Sequence, residues 1–182
     1  MKPPSALLTL LRIGAWLSVL VITFWLLSLT LRSSDEIALG RIRISDPAHE
    51  LNLEPFSNKV VPLRNLLRSP SARSQRSART YLFVDVLGNV AVFIPFGAAL
   101  ATATLLQRLR GRRQREFWPW WLGVTAAGLL LSLFIEIAQL AIPSRVTDVD
   151  DVILNTLGTA AGALFVWGVF RLTYRTRVTA RQ

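Results

Sequence analysis

The sequence lacks cysteine altogether and contains a single histidine, His49, among its 182 residues. Without cysteine, disulfide-stabilised scaffolds, thiol nucleophiles and zinc–thiolate centres are excluded. One histidine leaves no histidine cluster for a metal ion and no Ser-His or His-His catalytic pair. Charged residues are also scarce, at 18% of the chain, which is too few for the surface of an ordinary soluble protein.

Apolar residues dominate the chain instead. Hydrophobic residues make up 52% of it, and the mean hydropathy is +0.41. Each of four uncharged runs is close to the ~20 residues with which an α-helix crosses the hydrocarbon layer of a membrane. Only helices and closed barrels can span lipid, and continuous apolar runs without alternation favour helices. The four runs are Ile13–Leu31, Val86–Leu106, Phe117–Ile135 and Val152–Phe170.

We therefore predict an all-α, polytopic integral membrane protein. The length suits one domain, covering residues 1–182. Its transmembrane helices are predicted over about residues 13–31, 84–106, 118–142 and 152–172. A long loop, residues 32–81, separates the first two helices.

Arginine and lysine are distributed unevenly around these helices. Eleven basic residues lie in the N-terminal segment, in the loop 107–116 and in the tail after the fourth helix, whereas the loop between the third and fourth helices has only Arg145. Because short cytoplasmic loops are enriched in basic residues, both termini are predicted to face the cytoplasm. The net charge of +10 would also suit a nucleic-acid-binding protein. The basic residues are dispersed at helix ends, however, so no nucleic-acid partner is expected.

The middle of the first loop, residues 51–67, is unusually apolar for a connection. Pro55 and Pro62 interrupt its periodicity. Two interpretations stay open: the segment lies at the membrane surface, or it re-enters the helix bundle.

Polar residues lie near the ends of the apolar runs. A charge in lipid is costly, so these residues are expected to face partners rather than lipid. The second helix is predicted to begin, the third to end and the fourth to begin at the extracytoplasmic side. Their polar residues should therefore meet in one layer, within about two helical turns of the outer surface. The residues expected there are Asp85, Asn89, Glu136, Gln139, Arg145, Asp148, Asp150, Asp151 and Asn155.

Two interpretations of this polar layer are open. In the first, it only holds the bundle together: amides bond across helices, Asp151 caps the fourth helix and Arg145 neutralises a carboxylate. In the second, carboxylates around Arg145 form a ligand-binding or catalytic site. Asp148, Asp150 and Asp151 also carry the oxygen ligands that Mg²⁺ or Ca²⁺ prefers, so a divalent cation is a candidate here. No other cofactor is expected.

Small residues predict where helices approach one another. Gly158 and Gly162 form a GxxxG pair on the fourth helix, which is typical of close helix packing. Pro95 and Gly97 occur in the second helix, where the proline is expected to produce a kink.

Four short motifs follow one another along the chain. They are Asn52–Phe56, Asp85–Asn89 running into Phe93–Gly97, Glu136–Gln139, and Pro143–Gly158 closing at Gly162. In this order they resemble the VanZ-like family of bacterial membrane proteins, over about residues 52–165. The resemblance implies a small polytopic protein of the bacterial cytoplasmic membrane, in a family whose founding member is linked to low-level teicoplanin resistance. It implies no reaction.

The leading functional hypothesis is a non-enzymatic protein of the cell envelope. Its outer-leaflet polar layer would bind an envelope lipid or a lipid-linked cell-wall precursor, with Arg145 pairing with an anionic head group and Glu136 orienting it. Carboxylates outnumber this arginine, so such a ligand also needs a basic residue from the first loop or a bridging divalent cation.

Two alternatives use the same polar residues. One is an intramembrane enzyme acting on a lipid phosphate, with Glu136 as general acid or base. The other is a small proton-coupled carrier that uses Glu136 and Asp85. Four helices are few for a carrier, so a homo-oligomer is a further open possibility.

Overall fold

Helices make up 90% of the described residues in the computed structural model, which covers residues 5–31, 51–68, 71–108, 117–142 and 147–179. Four of them are long and apolar enough to cross a membrane. The predicted all-α membrane fold is thereby confirmed, while the orientation of the termini stays a prediction. The helices are α1 (Ser5–Thr30), α2 (Ser57–Arg68), α3 (Ala72–Leu82), a π-helical turn (Phe83–Leu87), α4 (Gly88–Arg108), α5 (Phe117–Gln139) and α6 (Val149–Thr179).

The second membrane helix is much longer than a bilayer requires. Helix α3, the π-helical turn and α4 follow one another without a break, and the candidate span Gln75–Arg108 has 34 residues. At 1.5 Å per residue this span is about 50 Å long, against ~30 Å of hydrocarbon. Its polar beginning, with Arg76 and Arg79, is the part that we expect to project beyond the apolar layer.

Helices α4 and α6 make the closest contact in the bundle. A Cβ atom at Gly158 would overlap the carbonyl oxygen of Val90, and one at Gly162 would overlap that of Ile94. Gly97 of α4 similarly abuts the backbone of Thr159. Glycine is therefore what lets these two backbones approach. Three of the four residues predicted to serve packing lie at this contact.

Pro95, the fourth residue predicted to serve packing, lies on an exposed face of α4. The helix continues through it from Gly88 to Arg108.

Helices α1 and α5 complete the core around α4 and α6. Val19 and Leu26 of α1 are buried with Phe93 and Phe96 of α4. On α5, Gly128 lies against the side chain of Thr159. A second cluster joins α4, α5 and α6 towards the other end of the bundle, where Trp120 and Trp167 pack together.

A two-residue parallel strand pair joins the first loop to the bundle. Strand β1 (Leu51–Asn52) pairs with β2 (Thr147–Asp148), with Leu51 opposite Thr147 and Asn52 opposite Asp148. Helix α2 follows β1 and packs mainly on α3. The sequence predicted an interfacial or re-entrant segment here but no strand, because two residues carry no periodic signal.

Candidate functional site

A buried lysine lies at the centre of the polar residues. Lys59 Nζ lies 2.6 Å from Asp85 Oδ2, 3.2 Å from Asp150 Oδ2 and 3.6 Å from Asp148 Oδ2. The lysine side chain is only 7% exposed and that of Asp150 is fully buried. Helix α2 supplies the lysine, the π-helical turn supplies Asp85, strand β2 supplies Asp148 and the first turn of α6 supplies Asp150. These four residues are called the clasp below.

The clasp keeps its lysine charged. Burial on its own lowers the pKa of Lys59, but hydrogen bonds from its ammonium to Asp85 and Asp150, together with the charges of Asp85 and Asp148, raise it above the ordinary value of 10.5. An ammonium ion therefore faces the three carboxylates at neutral pH. Buried charges of this kind are tolerated only when they are paired and hydrogen-bonded.

The carboxylates of Asp148 and Asp150 also accept hydrogen bonds from the chain itself. Asn52 Nδ2 donates to Asp148 Oδ1 over 3.1 Å, and the backbone N–H of Phe56 donates to Asp150 Oδ1 over 2.6 Å. The backbone N–H of Asp150 donates to Asp148 Oδ1 over 3.0 Å, which makes Asp148 the N-cap of α6. The expectation that Asp151 caps this helix was therefore wrong, because the helix begins at Val149.

Phe56 has a strained backbone beside the clasp. Its φ of 60° makes it the one non-glycine residue with positive φ in the described part of the chain. Such a conformation costs on the order of 1–3 kcal/mol. The short hydrogen bond from its N–H to Asp150 offsets part of that cost, so the clasp also holds the turn between β1 and α2.

A second polar pair lies next to the clasp. Asn89 Nδ2 donates a hydrogen bond to Asp151 Oδ1 between α4 and α6. Both residues are half-buried, and the side chain of Asp85 is 29% exposed. Asp85, Asn89 and Asp151 are called the rim below, so Asp85 belongs to both the clasp and the rim. Among the described members of the predicted layer, these three keep appreciable solvent exposure, on the π-helical turn and near the starts of α4 and α6.

Three further residues of the predicted layer are buried and tie helices together. Glu136 Oε2 accepts a hydrogen bond from the backbone N–H of Asp148 over 3.2 Å. Gln139 Nε2 donates to the carbonyl of Thr30 at the end of α1, and Asn155 Nδ2 donates to Ser132 Oγ, both over 2.9 Å. The described residues of the predicted layer therefore form a clasp, a rim that shares Asp85 with it, and three inter-segment bonds.

Arg145 lies outside the described residues, as does His49. The interaction predicted between Arg145 and Glu136 therefore stays a prediction.

A family model described as VanZ/LLP1 matches residues 13–171. The chain belongs to the VanZ/LLP1 family. The family resemblance predicted from the four motifs is thereby confirmed, and with the four candidate spans it identifies a multi-pass membrane protein. Comparisons with curated proteins and with solved structures found no match.

The sequence suggested that Asp148, Asp150 and Asp151 of this VanZ/LLP1 protein bind a divalent cation, but the Lys59 ammonium already contacts two of these aspartates. In the part of the chain that the structure describes, no group of three or more His, Cys, Asp or Glu residues is arranged to hold a metal ion. The Lys59 ammonium lies between Asp148 and Asp150, while Asp151 is bonded to Asn89 instead.

Sequence reasoning missed Lys59 and Asn52 as members of this site. One signal was present: the chain has nineteen arginines but only two lysines, and Lys59 is one of them. An arginine would need more space, and acceptors for its five N–H donors. A lysine is a compact point charge that fits among three carboxylates. Nothing in the spacing, however, indicates which carboxylates it meets.

Proposed function

We propose that this VanZ/LLP1 protein is a non-enzymatic component of the bacterial cytoplasmic membrane, with both termini in the cytoplasm, that binds the head group of an envelope lipid or cell-wall precursor at the rim. One observation carries the proposal. Asp85 lies on a π-helical turn, contacts the buried Lys59 and still has a side chain that is 29% exposed.

The rim is favoured over the clasp because of what its side chains already bind. In the clasp, Asp148 and Asp150 accept bonds from Lys59, Asn52 and the backbone of Phe56. The rim residues keep exposed surface at the outer ends of two membrane helices. π-Helical turns are rare and occur frequently at functional sites, which supports a role for Asp85 beyond packing.

The charge of the rim favours a ligand that donates hydrogen bonds. Asp85 shares one lysine with two other aspartates, and Asp151 is bonded by a neutral amide. Carboxylates accept hydrogen bonds, most strongly from charged donors. The proposed ligand group is therefore an ammonium or a hydroxyl, as carried by an amine-bearing lipid or by the sugar and peptide part of a wall precursor.

The same contacts favour binding over the alternative of an enzyme that acts on a lipid phosphate. That alternative needs Asp148 and Asp150 to hold a metal ion. Their oxygens instead accept bonds that fix β1 and the start of α2 to α6. The two aspartates thus support a structural clasp beside a ligand-facing rim.

Lipid titration followed by native mass spectrometry tests the proposal. Delipidated protein should bind phosphatidylethanolamine, whose primary ammonium donates hydrogen bonds, in preference to phosphatidylcholine, whose quaternary ammonium has none. Asp151→Asn should reduce this preference by about tenfold or more, since a hydrogen bond to a charged group contributes about 1.5–3 kcal/mol. As a second readout, a susceptible host that expresses the wild-type protein should tolerate more teicoplanin than one that expresses Asp151→Asn.

Glu54→Gln is the matched control. Glu54 is an exposed carboxylate of the turn between β1 and α2, and its removal should leave the lipid preference unchanged. Equal binding of the two lipids by the wild-type protein would contradict the proposal. So would an Asp151→Asn variant that keeps the full preference for phosphatidylethanolamine.

A further inference from the structure

The helices α2 and α3 form an outer hairpin with charge of one sign. From Ser57 through Val84 the sequence has six basic residues and no acidic one. One of the six, Lys59, is buried in the clasp. The other five side chains are all exposed: Arg64, Arg68, Arg73, Arg76 and Arg79.

Helix α2 also carries an apolar stripe that the protein leaves uncovered. Val60, Leu63 and Leu67 follow the spacing i, i+3, i+7, which places them on one face. Their exposed fractions are 49%, 47% and 75%. Lys59 lies on one side of the stripe, towards the bundle, and Arg64 lies on the other. A short helix with an apolar face flanked by basic residues is typical of a segment that lies in the membrane interface.

The continuity of the second membrane helix determines how far its arginines lie from the hydrocarbon layer. The membrane-spanning part of this helix is predicted to begin at about residue 84, next to Asp85. Arg79 precedes Asp85 by six residues on one unbroken helix, or about 9 Å along its axis. The head-group region extends roughly 5–8 Å beyond the hydrocarbon on each side of a bilayer. Arginine side chains reach several ångströms from the backbone and keep their charged heads at the interface, so Arg79 and its neighbours are within reach of lipid phosphates.

We propose that the outer hairpin is a docking surface for anionic lipids of the leaflet that it faces, with the exposed arginines contacting their phosphates. The charge complementarity is complete, because no acidic side chain of the hairpin competes for the arginines. The apolar stripe favours a lipid surface over a soluble polyanion, which would leave the stripe in water. This inference does not depend on the proposed function, because it requires no ligand at the rim: Asp85 serves only as a reference position along the helix.

Cysteine labelling in nanodiscs tests the proposal on the full chain. Because the protein has no cysteine, Leu67→Cys provides a single reporter on the most exposed residue of the stripe. Its reaction with a water-soluble maleimide should be at least about fivefold slower in nanodiscs that contain phosphatidylglycerol than in pure phosphatidylcholine. Fivefold corresponds to the attraction of one arginine to an anionic surface. High salt should restore the faster rate.

Removal of arginines from the hairpin should abolish this difference. In the Leu67→Cys background, a variant that replaces all five exposed arginines of the hairpin with glutamine (Arg64, Arg68, Arg73, Arg76 and Arg79) should react at the same rate in both lipids. A control that removes equal charge elsewhere, with glutamine at Arg110, Arg112, Arg113, Arg115 and Arg181, should keep the protection.

Several results would overturn the proposal. One is labelling that is insensitive to phosphatidylglycerol in the parent protein, and another is protection that survives in the hairpin variant. Protection by soluble polyphosphate in phosphatidylcholine nanodiscs would also overturn it, in favour of a soluble polyanion.

Discussion

Two contacts in this molecule are made by different kinds of groups. One joins α4 to α6, and the other joins the outer segment, residues 51–68, to the bundle. Between α4 and α6, glycines bring two backbones together, as at Gly158 and Val90. The outer segment is held by a strand pair of two residues and by the charges of the clasp. Its helix α2 packs mainly on α3, the polar beginning of the second membrane helix.

The difference reflects the surroundings of each contact. Lipid tails are as apolar as leucine, so helices in the hydrocarbon layer gain from close packing rather than from apolar burial. At the boundary of the hydrocarbon layer water competes for polar groups, and a segment that buries little apolar surface there is held by hydrogen bonds and charges. The bundle should therefore be sensitive to added volume and the outer segment to lost charge.

Removal of the clasp lysine should have the largest effect. Lys59→Met leaves three aspartates facing one another without a counter-charge, which costs on the order of 3–5 kcal/mol when a buried pair loses one partner. We expect the outer segment to detach before the bundle unfolds. Hydrogen exchange should then show lost protection in α2 while α4 and α6 stay protected.

Arg64→Met is the control for this change. Arg64 is an exposed basic residue of the same helix, and its loss should leave the exchange pattern unchanged. If Lys59→Met kept α2 protected, the clasp would not be what holds the outer segment.

Added volume between α4 and α6 should have the next largest effect. Gly158→Ala would place a Cβ atom against the carbonyl of Val90, and overpacking of this kind costs about 1–3 kcal/mol. A lower thermal unfolding midpoint in detergent is expected. Gly123→Ala on α5 meets open space instead, so it should raise the midpoint slightly, since alanine favours helices over glycine by about 0.5–1 kcal/mol. Equal midpoints for the two variants would contradict the packing argument.

The effect of pH on the clasp should be the smallest. The folded protein raises the pKa of Lys59 above 10.5, so the contribution of this lysine to stability is complete below that pH and is lost only above it. At about pH 9 an amine-reactive reagent should therefore fail to acylate Lys59 until the protein is unfolded. A lysine introduced by Val60→Lys, at an exposed neighbour, should be acylated readily. Rapid acylation of Lys59 in the folded protein would show that the clasp is open.

The membrane fold followed from the sequence because its signal is local. Four uncharged runs each suffice to predict a helix, since unsatisfied backbone groups in lipid leave few other structures. The glycine pair Gly158 and Gly162 likewise indicated where a neighbouring helix approaches. The structure adds that this neighbour is α4, and that α4 is continuous with α3 through a π-helical turn.

The polar site was predictable only in part. Asp85, Asp148 and Asp150 were expected to share a layer, because all three lie next to ends of apolar runs. Their common contact with a buried lysine was not predictable, because Lys59 belongs to a loop whose prolines hide its periodicity.

What the sequence determined by itself is the set of membrane helices and the end of the bundle at which their polar residues gather, since both depend on hydrophobicity counted along the chain. The tertiary structure alone decided which residues pair. Lys59 and Asp148 are far apart in sequence, and their contact requires β1 to pair with β2 and α2 to lie beside α3. Such pairings are set by the summed geometry of several elements, because an ammonium ion attracts any carboxylate that the fold brings near it.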